Sequence, residues 1–168
     1  MPTLRIVVIA AVLSLACSDS TGLTLDGPSF MRARIDGRFF SLEQQDSFLW
    51  DRSATMLFVR GMPGTFMPTG NQVIYMQVTG YHGPGTYPLD SSLNASGGAF
   101  SAARYEVFAN DGVPVPPENF ETGGQYTGSI RVIAEDTSTI VGTFEFSAGS
   151  TTGTGEVHVT EGSFRLHH

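Results

Sequence analysis

Residues 139–166, TIVGTFEFSAGSTTGTGEVHVTEGSFRL, decide the fold. In the first half Phe144, Phe146 and Ala148 alternate with Thr143, Glu145 and Ser147. That period of two sends one face to a core and the other to water. After a Gly/Ser/Thr loop, Val157 and Val159 alternate with His158 and Thr160, and then the apolar positions change parity to Phe164 and Leu166. One extra residue restores the facing, and Glu161-Gly162 is a natural place for a glycine-containing bulge. A tight turn there, making two short strands, is the alternative; the bulge is preferred.

The rest of the chain repeats this grammar. Phe30–Ile35, Asp36-Gly37 and Arg38–Leu42 read as a hairpin, because a type I′ turn wants positive φ at both central residues. Arg32, Arg34 and Arg38 then face solvent. Residues 43–54 are polar except for Phe48-Leu49-Trp50, and read either as a short strand ending at an Asp51-Arg52-Ser53 turn or as an irregular excursion. Thr55–Arg60 is a continuous apolar run, which suggests a strand covered on both sides. Gln72–Tyr81 is a long strand, and Gly83-Pro84-Gly85 turns it into Thr86–Leu89, whose Pro88 belongs at an edge or a strand end. Ala99–Phe108 and Gln125–Ala134 follow, the second leading through Glu135–Ser138 into the closing pair. This makes about nine strands without a convincing amphipathic helix after residue 17, so the expected fold is all-β, an antiparallel β-sandwich or barrel-like body.

Composition narrows the chemistry. Nine basic residues stand against 16 acidic ones, a net charge of −7, and every basic residue is an arginine. Without lysine there is no phosphate-loop lysine, no Schiff base and no Ser-x-x-Lys nucleophile. An acidic chain without a basic run is not expected to bind nucleic acid, whose affinity rests on phosphate neutralisation. The single cysteine, Cys17, excludes an intrachain disulfide and a cysteine metal cluster.

Residues 1–16, MPTLRIVVIAAVLSLA, carry one arginine and then an apolar run too short to span a bilayer, as in a secretory leader. Cys17 and the polar string Ser18–Gly22 follow, and together they resemble a bacterial lipoprotein signal, with Ser14 where such signals usually place leucine. The resemblance implies an acylated Cys17 as first residue of the mature chain and attachment to a membrane through the lipid. Ser18 in the next position implies, by analogy with lipoprotein sorting, the outer membrane of a bacterial envelope. The expected organisation is a signal peptide over residues 1–16, the acylated cysteine with a flexible tether over 17–28, and a β-domain over 29–168. Fully extended, the eleven residues 18–28 reach roughly 35–40 Å.

Four short motifs recur in order: Ala33–Gly37 (ARIDG), Gly85–Leu89 (GTYPL), Asp136–Phe146 running into GTFEF, and Val159–Phe164 (VTEGSF). On these the chain resembles an uncharacterised family of small bacterial lipoproteins, a domain of unknown function. The matched residues are turns, bulges and core aromatics, so the resemblance implies an all-β body and carries over no catalytic residue.

The remaining constellations are weak. His82 lies beside a turn, His158 points outward by strand parity, and His167-His168 end the chain. There is no G-x-S-x-G nucleophile elbow and no D-x-D-x-D-G calcium loop. Glu135-Asp136, Asp111 and Glu118–Glu121 read as solvated turn carboxylates. Two long loops carry apolar side chains that either fold back to cap an open end of the body or make contact with a partner or ligand: Met62, Phe66 and Met67 in residues 61–71, and Val113, Val115 and Phe120 in residues 110–124. The expectation is a non-enzymatic, lipid-anchored envelope domain without metal or cofactor, binding a protein or glycan through these loops. An envelope hydrolase and a purely structural envelope component are the alternatives.

Overall fold

The computed structural model describes residues 22–53, 55–64, 71–94, 101–108 and 118–168, the side chains of residues 93 and 94 excepted. It is nearly all strand. In chain order these are β1 (Phe30–Ile35), β2 (Arg38–Leu42), β3 (Ser47–Ser53), β4 (Met56–Met62), β5 (Asn71–Thr79), β6 (Gly85–Leu89), β7 (Ala102–Phe108), β8 (Glu118–Glu121), β9 (Gly128–Glu135), β10 (Thr139–Ser150) and β11 (Glu156–His167). Nine of the eleven form one antiparallel path, β2-β1-β11-β10-β8-β7-β5-β4-β3, and β9 and β6 branch from β10.

The branch explains the curl. β10 is long enough to take two partners along one edge: Ile140–Phe146 pair with β9, whereas Gly149 and Ser150 pair with β8. The nine-strand path bends through that junction into a half-barrel, settling between the two architectures the sequence left open. Its wings then meet. A Cβ at Gly61 on β4 would stand 2.7 Å from the Met31 sulfur of β1 and 2.9 Å from Leu42 of β2, so glycine there permits the close approach. Met31, Leu57, Ile74, Ile140, Phe164 and Leu166 are fully buried between the wings. At roughly 1.5–3 kcal/mol for each large apolar side chain, such a core needs no covalent staple.

The closing pair is two long strands with a bulge. β11 pairs Ser163 with Arg32 but Thr160 with Arg34, and Gly162 with Phe144 but Val159 with Phe146; both partners skip two residues where β11 skips three. Glu161 sits at φ 52°, and Gly162 is packed where a Cβ would overlap the Phe144 carbonyl and ring. The parity change in the sequence is therefore a bulge and not a turn. The Asp36-Gly37 hairpin also forms as expected, with φ of 48° and 77°.

Several expectations are corrected. Residues 47–53 form a full strand through Asp51-Arg52-Ser53, with Trp50 buried. β4 is not covered on both faces: Leu57, Val59 and Gly61 are buried, while Met56 is exposed and Phe58 is half-buried beside Tyr75. The apolar run conceals an alternation because the outer face uses Phe58 and Met62 for partial cover. The stretch 110–124 is not one loop, since β8 lies inside it and pairs with β7 and β10.

The described part of the expected tether is not free. The Thr24 carbonyl accepts from Arg165 Nε at 2.8 Å, the Pro28 carbonyl from Arg165 Nη1 at 3.4 Å, and His167 Nε2 donates to the Gly27 carbonyl at 2.7 Å. These bonds strap residues 24–28 to the last turns of β11.

Candidate functional site

At one end of the half-barrel the β1–β2 turn, the start of β5, the end of β7, β8 and the start of β11 surround a recess of about 480 Å³. Each wall has a local cause. The Asp36 amide donates to the His158 carbonyl and the His158 amide donates to Asp36 Oδ1, both at 2.9 Å, which pins the hairpin tip to β11. The β10–β11 loop is tied to β8 through Thr151, whose amide donates to the Asn119 carbonyl at 2.8 Å. Phe120 opposes Tyr105 across the β7–β8 ladder, with ring centroids 5.9 Å apart.

Two features separate this recess from an ordinary crease. Phe39 on its rim is 70% exposed, the most exposed large hydrophobic residue among those described. Tyr105 is only 5% exposed, and its side chain forms part of the lining. Burial, and then the carboxylates of Asp36 and Glu118, push this phenol up to about 12. It is therefore a neutral, protonated donor facing negative charge.

Of the loop residues that the sequence suggested, Phe120 reaches this site, but from a strand and half-buried against the core, with its ring beside Gly155. Met62 is the half-buried last residue of β4. Phe66, Met67, Val113 and Val115 lie outside the described residues, as does Cys17. Tyr105, Phe39, Asp36 and Glu156 were missed. Alternation marks Tyr105 as inward-facing, but no local signal shows that its hydroxyl emerges at an open end.

The other polar centres are occupied by structural bonds. Glu135, expected to be a solvated turn carboxylate, has a side chain only 9% exposed; it accepts from Arg52 Nη1 at 2.6 Å and from the Tyr81 hydroxyl at 2.5 Å. Burial, and then that hydrogen bond to Glu135, raise the Tyr81 phenol above its ordinary range. Arg52 also lies over the Tyr81 ring, so β3, β5 and the β9–β10 turn are clamped together. Asp136 does cap a turn: its Oδ1 accepts from the Ser138 and Thr139 amides.

His167 and Thr139 come closest to a nucleophile–base pair. His167 Nε2 donates to the Gly27 carbonyl, which leaves Nδ1 to accept from the Thr139 hydroxyl at 2.8 Å. However, Thr139 is buried, and the recess lined by Trp50, Arg52, Glu135, Asp136, Thr137 and His168 does not include it. The pair joins the strap to β10 and β11. His82 and His158 are exposed, as expected. A wider, shallower groove of about 510 Å³ is lined by Ser129, Arg131, Thr143, Phe144, Glu145 and Ser163 of β9–β11, together with Leu23 and Thr86. Among the described residues no group of three or more His, Cys, Asp or Glu side chains could hold a metal ion.

Comparison with known proteins gives one positive result. The sequence model of a family described as a domain of unknown function (DUF6252) matches residues 29–166. No curated protein matches, and no solved structure matches.

Proposed function

We propose, for a chain that belongs to the DUF6252 family of domains of unknown function, a non-catalytic binding module held at the bacterial envelope by a lipid on Cys17. The recess at the hairpin end is its binding mouth. The observation that carries this reading is Phe39, 70% exposed on the rim of a recess that Tyr105 and Phe120 also line. Small-molecule sites are concave, roughly 300–1,000 Å³, mostly apolar, and equipped with a few convergent polar groups. A recess of about 480 Å³ has that volume, and Ile35, Phe39, Val107 and Phe120 give it an apolar part, while Asp36, Arg38, Gln72, Glu118 and Glu156 make the rest of its lining polar.

The strap supports the envelope part of the reading. If Cys17 carries the lipid, six residues, 18–23, stand between the anchor and the first bonded residue, Thr24, a reach of roughly 25 Å. The strap holds the end of the body near Phe30 and Leu166, whereas the recess lies at the other end of β1 and β11. A short leash at one end presents the mouth away from the bilayer.

Two measurements test the parts separately. Radiolabelled palmitate should mark the wild type and not Cys17→Ser; a wild type without label removes the anchor. A fragment screen by amide NMR on the labelled protein in detergent should place bound fragments at Ile35–Phe39, Tyr105 and Phe120, with weaker binding in Phe39→Ser. Fragments that cluster elsewhere, or an unaffected Phe39→Ser, would remove the mouth.

A further inference from the structure

We infer that β2 is an association edge and that the partner it fits is a second copy of this chain, paired strand to strand about a two-fold axis at Phe40. This goes beyond the binding-module reading and uses neither the recess nor the lipid. β2 ends the nine-strand path and pairs only with β1. In a two-residue hairpin the closing pair, here Ile35 and Arg38, is hydrogen-bonded, and bonded and unbonded pairs alternate from there. Phe40 and Leu42 therefore bond to β1, whereas the N–H and C=O groups of Phe39 and Ser41 point away from the sheet. Nothing among the described residues takes these groups up, and Arg38, Phe39 and Ser41 are all exposed.

An unpaired edge is a template for further pairing, and proteins blunt such edges with proline, charge, bulges or cover. The other terminal strands are blunted. β6 carries Pro88, and β3 carries Asp51 and Arg52 and has Trp50 against the His168 ring, with centroids 4.3 Å apart. β2 has no proline, lysine or bulge, and it exposes Phe39 to 70%. A second β2 matches this edge in length and in charge. Antiparallel pairing of Phe39 with Ser41 of the second copy, and of Ser41 with its Phe39, gives every free edge group a partner along a strand of five residues. Serine opposite each Phe39 leaves room for the ring. The same register brings Arg38, which has no ion pair, to the 43–46 turn of the other copy. In that turn Asp46 is bonded to the Glu43 and Gly64 amides and to no arginine among the described residues. Positive end thus meets negative turn on both sides of the axis, which selects the antiparallel arrangement. Contacts below about 1,000 Å² are weak and transient, and an edge of five residues is of that kind.

The test follows the full-length protein in density-matched detergent by sedimentation equilibrium from about 10 μM to 1 mM, with amide exchange at both ends of that range. The mass is expected to rise from one chain toward two, and exchange at Phe39 and Ser41 to slow with it, while the β3 and β6 edges stay unchanged. Ser41→Pro removes an edge N–H that β1 does not use, and Phe39→Lys places an edge charge; each should weaken association at least about tenfold with the dispersed spectrum retained. Arg38→Glu should weaken it several-fold. A single chain throughout the range would overturn the inference. So would association that Ser41→Pro and Phe39→Lys both leave intact, since the contact would then lie elsewhere. Slow exchange at Phe39 and Ser41 in single chains would overturn the second copy in favour of a strand from another protein.

Discussion

The β11 bulge places two constraints on neighbouring residues, and exchanging them should have opposite consequences. Gly162 is extended but has no room: a Cβ would lie inside the contact distance of the Phe144 carbonyl and 2.6–2.7 Å from its ring atoms. Phe144 cannot swing away, because it is buried and packed against Phe146 and Phe164. Overpacking into such a core costs about 1–3 kcal/mol, and here backbone is struck as well, so Gly162→Ala should lose about 3 kcal/mol. For a domain of this size that is roughly a 6–12 °C fall in Tm.

Glu161 holds the positive φ, for which a side chain costs about 1–2 kcal/mol. Glu161→Gly removes that strain but also an exposed ion pair, Arg34 Nε to Glu161 Oε2 at 2.9 Å, worth about 0–1 kcal/mol. It further adds about 0.4–1 kcal/mol of unfolded-state freedom. The three nearly cancel, so Glu161→Gly should remain within about 1 kcal/mol of wild type. Denaturant midpoints with unchanged slopes give the comparison. A Gly162→Ala protein as stable as wild type, or a Glu161→Gly protein as damaged as Gly162→Ala is expected to be, would refute the bulge and with it the register of the closing pair.

Two further outcomes follow from the packing. Tyr81 and Tyr105 are both raised above their ordinary value of 10.0 in the folded protein, mainly by burial. Their contribution to stability is therefore complete below about pH 10, and is lost as pH climbs through the folded values, because the unfolded chain then releases protons first. An ultraviolet titration should show Tyr81 and Tyr105 ionising only as the fold is lost, with Tyr75, raised by its own burial, also late, and ionisation of Tyr81 and Tyr105 near pH 10 in a folded protein would contradict the packing. Arg165→Ala removes both bonds to Thr24 and Pro28; hydrogen exchange and proteolysis within residues 22–29 should accelerate while the exchange of β5 and β10 stays unchanged. Unaltered exchange in that segment would mean that the strap is held by something else.

What was legible in the sequence is what depends on nearest neighbours. Alternation, the Asp36-Gly37 turn and the parity change at Glu161-Gly162 are local, since side-chain facing in a strand is fixed by counting in twos. The same counting failed on β4, where Phe58 and Met62 are apolar on the outer face. It also failed on β8, four residues long and too short to show a period.

What was not legible depends on closure. Glu135 looked like a solvated turn residue because its sequence neighbours are Asp136 and Thr137; the groups that engage it, Arg52 and Tyr81, stand 83 and 54 positions away. They meet only because the β10 junction curls the sheet. The recess has the same origin, since Asp36, Tyr105 and Glu118 share no local pattern and converge where the two wings end. Strand order thus determines which carboxylates become clamps and which remain free. At the clamped end Glu135 has an arginine and a phenol, and its charge is spent on holding β3 to β5 and β9. At the open end Asp36, Glu118 and Glu156 have no ion pair to an arginine among the described residues, so closure there is left to the two bonds between Asp36 and His158.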